Sequence, residues 1–172
     1  MSEKHKTIIT VIGGSAASRS ELLAAEEVGR EIARRGAALV CGGLGGIMEA
    51  ACRGAKSAGG LTVGILPGVD RRGANDFVDI PLPTGIGYAR NILVAYSGDA
   101  VIAIGGKHGT LSEIAFASIK GTPVVSLGSW ELDECRLPMP LVHAKDAHDA
   151  VAKAFALAAK RHARRGPLKD EG

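Results

Sequence analysis

Three glycine-rich loops constrain this chain more than any other feature. They lie at residues 13–14, 42–46 and 105–109, each directly after a short apolar run and before a helical stretch. The runs that precede them, residues 7–12, 37–41 and 100–104, carry almost no polar residues and are bounded by turn residues. Short runs of that kind are expected for parallel strands covered on both faces, where no alternation of apolar and polar positions is needed. Strand and helix patterns alternate through the rest of the chain, which predicts a single-domain α/β fold: a doubly wound parallel sheet with helices on both faces. Right-handed crossovers place every strand's C-terminal end along one edge. The three loops should therefore converge where sheets of this kind hold their ligands, near the point at which strand order reverses.

Read in order, Ser18 or Ser20 caps a helix running to about residue 35, with Leu22, Leu23, Val28 and Ile32 on its apolar face. A second helix follows the 42–46 loop to about residue 58, and strands are expected at 61–66 and 77–80. A helix carrying Arg90 ends near Ser97, and the strand at 100–104 leads to a helix opening at Thr110. Thr110 with Glu113 three positions on has the form of a capping box, which puts Glu113 in the first turn. Strands at 124–127 and 141–143 and a helix over 146–164 complete a domain spanning 1–166, with 167–172 as a frayed tail.

Only six residues are Phe, Trp or Tyr, so the core must be built of Ala, Val, Ile and Leu. The net charge of +3 favours small anions mildly and gives no reason to expect nucleic acid. Cys41, Cys52 and Cys135 are odd in number and lack paired ligand spacing, which fits reduced thiols, a cytoplasmic setting and no metal site. The first residues run into a strand without a leader's apolar region, and no apolar run is long enough to span a membrane.

The loops decide the chemistry. A glycine loop feeding a helix N-terminus presents free N–H groups and a partial positive charge, which suits phosphate. The dinucleotide fingerprint fails, because Gly13, Gly14 and Ser15 are not followed by the required spacing and the second strand ends in Cys41 and Gly42 without an acidic residue. The NTPase loop also fails, since Gly106 and Lys107 are followed by His108. Nucleophile elbows and paired zinc histidines are missing. Candidate ligand-contacting positions are Gly13, Gly14 and Ser15 in the first loop; Gly42, Gly43, Gly45, Gly46 and Met48 in the second; and Gly106, Lys107, His108, Gly109 and Thr110 in the third.

The third loop, running from Gly105 to Glu113, resembles the P-G-G-x-G-T-x-x-E motif of the Lonely Guy (LOG) family. Arg90, nine residues before Asp99, stands where that family carries an upstream arginine. Gly46, Ile47 and Met48 match the family's other loop, and the resemblance covers roughly residues 8–128. Gly105 replaces the motif's proline and Lys107 its second glycine; an ammonium there adds a phosphate contact. The details look closest to a sub-branch that includes molybdenum cofactor carrier proteins. This resemblance implies a Rossmann-like fold, a homodimer or homotetramer, and a small phosphorylated ligand such as a nucleoside monophosphate or pterin phosphate. Two activities follow from it. One is nucleoside 5′-monophosphate phosphoribohydrolase, with Arg90 and Glu113 as the catalytic pair and no required cofactor. The other is non-catalytic carriage, with molybdenum cofactor as cargo or a nucleotide as ligand. The lysine decarboxylase label attached to such proteins has no support, since nothing resembles a pyridoxal-phosphate lysine site.

Overall fold

The computed structural model describes residues 5–132 and 141–165; Cys135 and the tail expected at 167–172 lie outside them. Seven parallel strands form one sheet: β1 (Ile8–Gly13), β2 (Ala38–Cys41), β3 (Thr62–Leu66), β4 (Ile80–Pro83), β5 (Ala100–Ile104), β6 (Val124–Leu127) and β7 (Leu141–His143). Their order is β4-β3-β2-β1-β5-β6-β7, so the winding reverses between β1 and β5, which pair from Ile9↔Ala100 to Gly13↔Ile104. The helices are α1 (Arg19–Arg34), α2 (Ile47–Ser57), α3 (Asn91–Ser97), α4 (His108–Lys120) and α5 (Ala147–Arg165). This is the doubly wound, Rossmann-like architecture expected from the alternation.

Side-chain alternation along the strands fills two cores. Ala100, Ile102 and Ile104 of β5 join Ile9, Val11 and Leu39 against α1, α2 and α5, whereas Val101 and Ala103 join Ile12 and Val40 against α3 and α4. Both faces are dry, which is why the strand sequences read as unbroken apolar runs. Small residues let α1 and α2 approach closely: a Cβ added at Gly54 would lie 1.8 Å from the Glu26 carbonyl oxygen, and one at Gly29 1.9 Å from that of Ala51. Cys41 and Cys52 are free and buried, with Sγ atoms 3.5 Å apart.

Two local expectations are corrected. The fourth strand is not 77–80 but Ile80–Pro83, paired with β3 through Pro81 and Pro83. It is an edge strand, where a missing N–H on the open side costs no ladder bond. The helix expected to open at Thr110 opens at His108 instead. Lys107 is its N-cap, without a side-chain cap, so Thr110 and Glu113 form no capping box. The box form is met at α1, where Ser18 and Glu21 satisfy each other's backbone N–H groups.

Candidate functional site

The C-terminal ends of β1, β2 and β5 carry the three loops onto one edge, and at the β1/β5 reversal they enclose a cleft of about 280 Å³. Of the positions singled out in the sequence, Gly13, Gly14, Ser15, Met48, Arg90, Lys107, Gly109, Thr110 and Glu113 line it. Gly42, Gly43, Gly45, Gly46, Gly106 and His108 do not line this cleft, and several of them shape it from behind. Gly42 leaves the space that Arg90 fills: a Cβ there would meet Arg90 Nη1 at 2.0 Å and Met48 Sδ at 2.7 Å. Gly46, with φ +67°, interlocks the first two loops, since a Cβ would lie 2.4 Å from the Ser15 carbonyl oxygen. Gly106, with φ +99°, turns the chain between β5 and α4, and its Cβ would strike Thr110 Oγ1 at 2.2 Å.

Three features give the cleft its chemistry. The first turn of α4 is open: Leu111 N–H makes the first intrahelical bond, to the Lys107 carbonyl. The N–H groups of His108, Gly109 and Thr110 therefore have no acceptor within the helix, and the helix dipole adds positive potential at that end. Lys107 is exposed beside them. Next, Arg90 ends a short 3-10 turn leading into α3 and is more than nine-tenths buried. Its Nε and Nη1 are buried without an acceptor among the described residues. A buried guanidinium without acceptors is costly. Last, Glu113 is also buried, and removal from water pushes its carboxyl up to about 7, partly opposed by the positive charge of Arg90. No hydrogen bond joins the two side chains; they interact through charge alone.

The three-residue spacing of Thr110 and Glu113 places both on one helix face, and that face is the one turned to the cleft. The sequence reading missed Ala16, Leu44, Tyr88 and Asn91, which also line it. Asn91 was within reach, because it directly follows Arg90 at a helix start. Tyr88, 90% exposed at the mouth, carried no signal in one sequence. His108 faces an adjoining groove, 6.4 Å from the Trp130 ring centroid, while Trp130 Nε1 donates to the Lys107 carbonyl. Glu27 and Glu31 of α1 and His148 of α5 offer metal-ligand atoms within 4.8 Å of one another. Each of those carboxylates already pairs with an arginine through its other oxygen, Glu27 with Arg30 and Glu31 with Arg34.

Comparison with known proteins agrees with this architecture. A molybdenum cofactor binding protein from the phototrophic bacterium Rippkaea orientalis superposes with a TM-score of 0.85 at 36% identity, over 90% of this chain and 99% of that one. The molybdenum cofactor carrier protein of Chlamydomonas reinhardtii gives 0.80 at 38% identity, again over 90% of this chain and 99% of that one. An uncharacterized protein of Archaeoglobus fulgidus is 48% identical over 119 residues, 69% of this chain and 78% of its own length. No helix among the described residues is long and apolar enough to cross a membrane. With residues 6–158 matching its model, the chain belongs to the SLOG cluster4 family.

Proposed function

We propose that this protein binds a small phosphorylated ligand in the β1/β5 cleft and acts as a carrier, with molybdenum cofactor, a pterin phosphate, as cargo. The observation that carries this reading is the buried, acceptor-free guanidinium of Arg90 in a cleft that also exposes the open N-terminus of α4. Donors held without acceptors in the protein suit an anionic ligand that completes them. Family membership and likeness over nine-tenths of the chain to molybdenum cofactor binding and carrier proteins support phosphate-ligand binding and favour carriage over turnover. The phosphate would sit on the amides of residues 108–110 beside Lys107, and the rest of the ligand would extend toward Arg90 and Glu113. Leu93, Tyr96 and Ile119 leave an apolar face on α3 and α4, which supports a homo-oligomer.

The test is mass spectrometry with elemental analysis of protein purified from its source under anaerobic conditions. A pterin with molybdenum is expected, and Arg90→Met should lose it while remaining folded. A wild type that carries neither and binds no phosphorylated pterin would overturn the carrier reading.

One observation favours a second reading, phosphoribohydrolase activity. Arg90 and Glu113 both line the cleft within charge range of each other, and burial pushes the Glu113 carboxyl up to about 7. Its ionised form could stabilise an oxocarbenium-like state at an anomeric carbon and guide water. Release of free base from nucleoside monophosphates by wild type, reduced ~100-fold in Glu113→Gln, would establish turnover. Equal release from both proteins would reject a catalytic Glu113.

A further inference from the structure

Asn91 holds a place that anion binding does not explain. It is only 6% exposed, yet it lines both the cleft and an adjoining groove of about 600 Å³ that passes Lys107 between Tyr88, His108 and Phe116. Its amide is not free to turn. Asn91 Nδ2 lies 3.0 Å from Ser112 Oγ, and Ser112 Oγ lies 2.7 Å from the Gly109 carbonyl oxygen. A carbonyl only accepts, so the single hydroxyl proton of Ser112 goes to Gly109. The Ser112 oxygen can then only accept from Asn91, which must present its NH₂ group there. A flipped amide would make Oδ1 and the Gly109 carbonyl compete for that single proton, and one of the two bonds would be lost.

Oδ1 is left as the free group. It accepts no hydrogen bond from the described residues and is not sealed from solvent. Gly109 and Ser112 belong to the first turns of α4, the helix whose amides form the anion site, so this acceptor is held at a fixed offset from it. Its neighbours include the donors of the Lys107 ammonium, the Arg90 guanidinium and the first-turn amides, and the carboxyl of Glu113 is a second acceptor lining the cleft. We infer that Asn91 is a specificity residue, held by the Gly109–Ser112 relay, whose Oδ1 accepts a hydrogen bond from an N–H or O–H on the non-phosphate part of the ligand. The inference rests on the anion-site reading above and adds what the site demands beyond phosphate.

Calorimetry with inorganic phosphate, ribose 5-phosphate and guanosine 5′-monophosphate tests it. Asn91→Ala should weaken the guanosine monophosphate about tenfold or more, because a donor buried with the ligand loses its acceptor, and should leave inorganic phosphate unchanged. An equal loss with ribose 5-phosphate identifies a sugar hydroxyl as the donor; a loss confined to the nucleotide identifies a ring N–H. Ser112→Ala, which frees the amide to flip, should give a smaller loss in the same ligands, and Ser112→Thr should restore it. Unchanged nucleotide affinity in Asn91→Ala, or an equal loss of inorganic phosphate, would overturn the specificity role while leaving the anion site standing. A wild type that binds none of the three probes would overturn both.

Discussion

The α1–α2 layer and the β1/β5 cleft lie on the same molecule and are built to opposite standards. In the α1–α2 layer the charged groups are matched: Glu26 Oε2 meets Arg53 of α2 at 2.9 Å, and within α1 Glu26 Oε1 meets Arg30 at 3.0 Å and Arg34 closes on Glu31 at 2.7 Å. Backbones there approach so closely that only glycine fits at positions 29 and 54. In the cleft, by contrast, a buried arginine lacks acceptors, a buried carboxyl is held partly protonated, and a helix terminus is left uncapped. One region is finished by its own residues and supplies rigidity. The other has unmet donors, and a ligand is what would complete it.

The largest expected effect falls on the finished side. Gly54→Val forces a side chain onto the Glu26 carbonyl, which would lie 1.8 Å from the new Cβ. Neither backbone can retreat without opening the interface, so a loss of about 4 kcal/mol is expected in urea denaturation. A loss under about 1 kcal/mol would show that the α1–α2 contact is not close-packed in solution.

The next effect belongs to the cleft and has the opposite sign. Burial raises the Glu113 carboxyl from its ordinary 4.5 to about 7, so the folded state holds this proton more tightly than the unfolded chain does. Stability from this group is therefore lost as pH rises from about 4.5 through 7, and the penalty is complete above that window. Glu113→Gln removes the titration. It should stabilise the protein at pH 8 by up to about 3 kcal/mol and change little at pH 4. Denaturation midpoints that shift equally at both pH values would contradict a buried, proton-linked Glu113.

The smallest effect separates loop glycines that look alike in sequence. A Cβ at Gly45 would meet only Glu49 Oε2, at 3.7 Å, and its φ is not positive. Gly45→Ala should cost no more than about 0.5 kcal/mol, whereas Gly46→Ala should be severely destabilising because of the Ser15 carbonyl. Equal costs at the two positions would show that the interlock of the first two loops is not formed.

How much was legible follows from the same physics. The sheet could be read because strands dry on both faces leave unbroken apolar runs, and the glycine loops marked the strand ends. The Thr110–Glu113 pair was read both as a capping box, which the helix start at His108 rules out, and as site residues, and both do line the cleft. Spacing of three defines a common helix face wherever the helix begins, and the start at His108 depends on the turn that Gly106 makes at φ +99°. Likewise, prolines usually end a strand, yet Pro81 and Pro83 stand within one because β4 lies on an outer edge.

What the sequence determined alone, then, is what local pattern encodes: the alternation of elements, the meeting of three loops on one edge, and the residue types suited to phosphate. The tertiary structure decided which of the candidates line the cleft and which only make room. Gly42 and Arg90 are 48 positions apart and become one feature only when packed, the missing side chain of one seating the guanidinium of the other. Burial of Glu113, and with it its raised carboxyl, likewise comes from tertiary packing. Such properties arise from long-range packing, which no local spacing records.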